Sequence, residues 1–180
     1  MRRRRLLRFG PIAGVTVAIV MMMRAPGLAQ NVTGPALKAA FIYNFARFTS
    51  WPDGWPASEP FVICVLGDAM GDALERVVKG RELAGHAVVV SAAAPAGPNR
   101  ACHLLYISGI PSSQAAQLVA GLRDTPVLTI SDIEGFNDAG GMAQLFFEDG
   151  RLRFSIRLDP VKRARLQVSS KLIVLAKPHE

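Results

Sequence analysis

Four short apolar runs, each closed by a turn of Gly, Asp or Ser, set the terms on which this chain can fold. Phe61-Val62-Ile63-Cys64-Val65-Leu66 ends at Gly67-Asp68, and residues 102–107 end at Ser108-Gly109. Residues 86–90 and Val127-Leu128-Thr129-Ile130-Ser131-Asp132 complete the set. Residues 61–66, a nearly continuous apolar run, read as a strand covered on both faces and residues 102–107 as another buried strand, while residues 86–90 and 127–132 read as strands. Between them lie helical patterns. Leu74, Val77 and Val78 share one side of residues 71–79, with Gly80 as terminator, and Ser112 or Ser113 caps a helix that ends near Gly121. Residues 142–147 and 152–156 flank Glu148-Asp149-Gly150-Arg151, a hairpin signal. Arg153, Ser155 and Arg157 alternate there with Leu152, Phe154, Ile156 and Leu158, so one hairpin face is polar. The expected architecture is a single-domain three-layer α/β/α sandwich with a mixed β-sheet.

A helix is expected from Thr33, which can cap it, through Pro35 to about Ser50, with Leu37, Phe41, Phe45 and Phe48 at helical spacing. Trp51-Pro52-Asp53-Gly54-Trp55-Pro56 stops it, because proline lacks the amide donor and biases its predecessor away from helix. A final helix is expected to begin near Pro160.

The chain's net charge of +7 does not make it a nucleic-acid binder. Arg2, Arg3, Arg4, Arg5, Arg8 and Arg24 all precede residue 30, where there is no acid, and the remaining chain has 15 basic against 14 acidic residues. Counterion displacement from phosphates requires basic groups on the folded domain. The basic start, an apolar stretch over residues 9–23 and the small residues Gly27 and Ala29 read as a signal peptide cut before Gln30. That stretch is shorter than the ~20 residues needed to span a bilayer. Residues 30–180 then form one exported domain. In an oxidising compartment the isolated pair Cys64 and Cys102 reads as a disulfide, with two buried thiols as the alternative.

Motifs of catalysis are missing from the sequence. No phosphate-cradling Gly-rich pattern, Gly-x-Ser-x-Gly, His-Glu-x-x-His or Ser-x-x-Lys occurs, and His86, His103 and His179 are not at metal-ligand spacings. His103, Ser131 and Asp132 have the residue types of a nucleophilic triad but carry no motif, and His103 within a strand reads as a structural histidine. Recognition is what remains. Arg47, Trp51 and Trp55 cluster at the first helix exit, where aromatic area and a fixed charge can anchor a partner or a small ligand; the alternative is that the tryptophans close the core.

In their order and spacing, four blocks resemble the YfiR family of bacterial periplasmic regulators. They are Lys38-Ala39-Ala40-Phe41-Ile42-Tyr43-Asn44-Phe45-Ala46-Arg47-Phe48 leading to Trp51-Pro52; Ile63-Cys64-Val65-Leu66-Gly67-Asp68; Cys102-His103-Leu104-Leu105-Tyr106-Ile107-Ser108; and Leu128-Thr129-Ile130-Ser131-Asp132 followed by Gly135-Phe136 and Gly140-Gly141-Met142. Arg153-Phe154-Ser155-Ile156 and Leu166-Gln167-Val168-Ser169-Ser170-Lys171-Leu172 extend the match. The resemblance implies a non-enzymatic protein, without a cofactor, that binds the periplasmic sensor region of a membrane-bound diguanylate cyclase and lowers cyclic-di-GMP and biofilm formation. It also implies homodimerisation and sequestration by an outer-membrane lipoprotein. Cys64 and Cys102 match the family's structural disulfide positions, while a second cysteine pair of some members is missing. The contact surface is expected at the Trp51-to-Pro56 exit or on the hairpin face bearing Arg153 and Arg157. The alternative function is a periplasmic small-ligand-binding accessory of a sensor histidine kinase or an outer-membrane transport system, since α/β layers can hold a ligand at strand ends.

Overall fold

The computed structural model describes residues 34–52, 56, 58–67, 70–97 and 99–178. The expected export segment, the Thr33 cap, Trp55, Asp68 and His179 lie outside the described residues. In chain order the elements are α1 (Gly34–Arg47), β1 (Thr49–Ser50), β2 (Phe61–Leu66), α2 (Gly71–Val78), β3 (Glu82–Leu83), β4 (His86–Ala92) and β5 (Leu104–Ile107). These are followed by α3 (Ser112–Gly121), β6 (Leu128–Ser131), β7 (Ala143–Glu148), β8 (Arg151–Ile156), α4 (Leu158–Arg163), β9 (Gln167–Val168) and α5 (Ser170–Leu175).

All four apolar runs become neighbouring parallel strands. The seven-stranded sheet has the order β3-β4-β2-β5-β6-β7-β8, in which β4, β2, β5, β6 and β7 are parallel while β3 and β8 pair antiparallel at the edges. It is a mixed sheet. Its centre is the driest part, with Leu104, Leu105, Tyr106 and Ile107 wholly buried. Strand periodicity splits these side chains between two cores. Ile63, Val65, Leu104, Tyr106, Leu128 and Ile130 pack toward α1 and α2, whereas Cys64, Leu66, Leu105 and Ile107 pack toward α3 and Phe136. Helices on both faces make the three-layer α/β arrangement. Cys64 and Cys102 are joined in a disulfide on the α3 side, which ties β2 to the residue two places before β5.

Differences from the sequence reading have local causes. α1 ends at Arg47, and the next residues leave the helix so that Thr49 and Ser50 pair antiparallel with Val168 and Gln167. The single helix expected from Pro160 is divided into α4, β9 and α5. Arg165 adopts a φ of 58°, which closes α4, and the Ser169 hydroxyl then caps α5 by accepting from the Lys171 amide. The edge hairpin of β3 and β4 turns at Ala84-Gly85, where both residues have positive φ.

β2 leads into α2 on one face and β5 leads into α3 on the other, so the carboxyl ends of β2 and β5 mark the topological switch point. In open α/β sheets this is the usual ligand crevice. Here the Ser108 amide donates to the Leu66 carbonyl at 2.9 Å, and a Cβ on Gly67 would lie 2.5 Å from the Ser108 carbonyl oxygen. The two strand ends thus stay in backbone contact one residue beyond their ladder.

Candidate partner-binding site

The helical spacing of Phe41 and Phe45 aligns their rings along α1, and Phe48 follows one residue past its end. Leu152 and Phe154 alternate along β8, so both point to the same face of the sheet. Phe154 meets Phe41 edge to face at 6.1 Å and Phe45 at 5.0 Å. α5 contributes Leu172 and Leu175 from the far side, leaving a groove of about 230 Å³ between α1, β8 and α5. Only Leu172 of α5 is buried, while Val174 is 82% and Leu175 70% exposed. A six-residue helix presenting large aliphatic side chains to solvent at the mouth of an apolar groove is a docking geometry.

Arg153 forms part of the groove wall. Its Nε lies 3.7 Å from a Glu148 oxygen, too long for a hydrogen bond, and is buried without a hydrogen-bond partner. Glu148 is held more closely by Lys177, at 2.8 Å, and this hydrogen bond keeps its carboxyl below the usual glutamate pKa. Arg47 lies over the ring of Phe48, another wall residue, at 5.7 Å. Of the five expected recognition residues, Arg153 is in the groove wall and Arg47 lies beside it, over Phe48.

Trp51 and Arg157 are placed elsewhere. The Trp51 indole donates to the His103 carbonyl at 3.0 Å and meets Phe61 edge to face at 4.8 Å, so it closes the core beside β2. Arg157 follows the other end of β8, where it lies 3.7 Å from Asp138. Trp55 is outside the described residues. Sequence reasoning missed α5 as a groove wall, because Leu172-Ile173-Val174-Leu175-Ala176 reads as an ordinary core segment. Its signal was an apolar run too short to bury all its members.

His103, Ser131 and Asp132 do not form a triad. His103 precedes β5, whereas Asp132 follows its parallel neighbour β6, so they occupy opposite ends of the sheet. The His103 Nδ1 accepts from the Val62 amide at 3.0 Å and its ring stacks on Phe61, while burial lowers its pKa. Ser131 Oγ accepts from the Ile133 amide.

Asp132 instead anchors α1. Lys38 Nζ donates to Asp132 Oδ2 at 2.5 Å, with both side chains about one-fifth exposed. Burial acts to raise the Asp132 pKa, but Lys38, assisted by Tyr106 and Ser108, outweighs it and holds the carboxyl below the usual value. The Tyr106 hydroxyl, buried near this carboxylate but in no hydrogen bond of ordinary geometry, has its pKa raised by burial first and by Asp132 second. Lys38→Met should therefore cost about 2 kcal/mol near neutral pH, since it strands a half-buried carboxylate. Asp132's folded pKa is depressed, so its contribution is present above its unfolded value near pH 4 and is lost as pH falls through the lower folded value. Urea unfolding of both proteins at neutral pH and at about pH 3 checks this: the gap should narrow in acid. A gap independent of pH would contradict the assignment.

A model of the YfiR/HmsC-like family matches residues 35–177. A search of curated proteins found no match. Among solved structures, the chain is similar to a conserved domain protein from Vibrio cholerae O1 biovar eltor, at 12% identity and a TM-score of 0.48. The similarity covers 81% of this chain and 60% of that one. With the family match running from the start of α1 to the residue that bridges to β8, this chain belongs to the YfiR/HmsC-like family.

Proposed function

We propose that this protein is an exported regulator that represses a membrane-bound diguanylate cyclase by binding that enzyme's periplasmic sensor region, lowering cyclic-di-GMP and biofilm formation. The observation that carries this reading is the family match over residues 35–177. Residues 1–29 act as the cleaved export signal in this account, and residues 30–180 work in the periplasm, where the Cys64–Cys102 disulfide is stable. Among the described residues, no helix is long and apolar enough to cross a membrane. The work is binding, not chemistry. A regulator selecting the inactive sensor conformation shifts the active-to-inactive ratio tenfold for each ~1.4 kcal/mol of differential affinity.

One feature supports a macromolecular partner: the apolar groove beside β8 is open to solvent along α5. A second copy of the chain and an outer-membrane lipoprotein complete the proposed set of partners. Deleting the gene should raise cellular cyclic-di-GMP and biofilm mass. A copy encoding residues 1–180 should reverse both effects, whereas a copy retained in the cytoplasm by removal of residues 2–29 should reverse neither. Unchanged cyclic-di-GMP in the deletion strain would refute the proposal.

A further inference from the structure

We propose that a second copy of this chain pairs with the uncovered part of β4, joining the two sheets through an antiparallel two-fold contact centred on Ser91. This adds a surface to the regulatory reading and rests on that reading only for what the dimer is for. β3 covers no more than the start of β4: Glu82 and Leu83 pair with Ala87 and His86, and the Val88 amide donates to the Arg81 carbonyl at 3.0 Å. Beyond Val88 the edge is bare. The Ala93 amide donates to the Val65 carbonyl at 2.8 Å, which fixes the alternation along the parallel pair with β2: Val89, Ser91 and Ala93 turn their backbones toward β2, and Val90 and Ala92 turn theirs outward. The Val90 N–H and C=O and the Ala92 N–H have no hydrogen-bond partner among the described residues, and the Ala92 carbonyl meets only the Ser91 hydroxyl at 3.5 Å. Side chains leave this stretch accessible too, since Val89 is 39% exposed and Ala87, Ser91 and Ala92 are exposed. Unpaired edge groups of this kind are a template for another strand.

Self-complementarity selects an identical strand as the occupant, because a two-fold contact presents the same groups from both sides. With Ser91 opposite its counterpart, each Val90 N–H meets the other copy's Ala92 C=O and each Ala92 N–H meets the other copy's Val90 C=O. Four hydrogen bonds form and none of these groups is left over. Val89 then lies beside Ala93 of the other copy, which covers its exposed side chain. Charge does not oppose the contact. Natural edges avoid pairing with themselves by carrying charged residues or proline, and residues 87–94 contain neither. An open groove of about 570 Å³ separates this edge from Asp72, Glu75, Arg76 and Lys79 on α2, where two acids balance two bases and leave no net charge to repel a second copy. β4 and β8 lie toward opposite sides of the sheet, so pairing at β4 leaves the groove of α1, β8 and α5 free in both copies. The dimer therefore offers two such grooves to a partner at once.

Sedimentation velocity of the purified, oxidised protein tests this, and a concentration-dependent dimer is expected. Ser91→Lys, which sets like charges opposite each other at the axis, should weaken the dimer about tenfold or more. Leu175→Glu, in the distant groove, should leave it within about twofold. Cross-linking checks the register. Cys64 and Cys102 are bridged to each other, so an introduced cysteine is the sole free thiol. Ser91→Cys should give a disulfide-linked dimer on oxidation, since directly opposed residues that share no hydrogen bonds have Cα atoms about 4.5 Å apart, within disulfide range. Ala87→Cys, equally exposed but about 26 Å from its counterpart at the strand rise of about 3.3 Å per residue, should not. A monomer at every concentration, a dimer indifferent to Ser91→Lys, or failure of Ser91→Cys to cross-link overturns the proposal. So does a dimer that Leu175→Glu dissociates, because the contact would then lie at the groove. Any of these results alongside intact capture of a cyclase spares the regulatory reading. A Ser91-dependent dimer without cyclase capture does the reverse.

Discussion

Replacing Cys64 and Cys102 by Ala together should lower stability by about 4 kcal/mol, the chain-entropy value for a loop of 38 positions. In a domain of this size that corresponds to a fall of roughly 10 °C in melting temperature. Both sulfurs lie in the core between the sheet and α3, so the bridge constrains the unfolded chain and also fills space in the folded one. Wild-type protein treated with dithiothreitol should move toward the variant's urea midpoint. Because the bridge joins β2 to the approach to β5, away from the groove of α1, β8 and α5, the variant that remains folded should bind its partner with unchanged affinity. A midpoint equal to that of the oxidised wild type would show that the bridge contributes nothing.

Gly67→Ala should cost about 3 kcal/mol or more. Gly67 has a φ of 112°, a conformation disfavoured for residues with a Cβ, and the added carbon would approach the Ser108 carbonyl oxygen to 2.5 Å. The obstacle is backbone, so relief requires the ends of β2 and β5 to separate at the centre of the sheet. Gly121→Ala in the last turn of α3 is the matched control. It meets nothing within 4 Å and should stabilise by about 0.5 kcal/mol through the unfolded chain. Denaturant midpoints of the two variants should move in opposite directions. If Gly67→Ala matched wild type, the ends of β2 and β5 would not be in this contact.

The residues whose local pattern and burial agree were legible in the sequence. Phe61 to Leu66 read as a doubly covered strand and Leu128 to Ser131 as a further strand because their positions are apolar or small, and the sheet buries both on its two faces. The Asp149-Gly150 turn was equally readable, since its positive φ values demand such residues. Two-residue strands such as β1 and β9 had no periodicity to reveal them; they form because the exit of α1 passes the segment after Arg165. The site was harder to read for a related reason. Arg153 was recognisable as one charge on a polar hairpin face, but its neighbours Phe41 and Phe48 sit more than a hundred positions earlier and looked like core. Trp51, prominent in sequence as a candidate anchor, is held by the His103 carbonyl and Phe61 instead. Aromatic content cannot distinguish packing against one's own sheet from packing against a partner.

The central claim is that this protein restrains a diguanylate cyclase by direct contact on the periplasmic side of the membrane. Its most direct test is affinity capture from solubilised membranes with oxidised protein comprising residues 30–180, with bound proteins identified by mass spectrometry and confirmed by binding of the purified sensor region. Recovery of a membrane diguanylate cyclase that binds through its periplasmic region is the predicted result. Recovery of a sensor kinase or an outer-membrane receptor, with no cyclase, would contradict it.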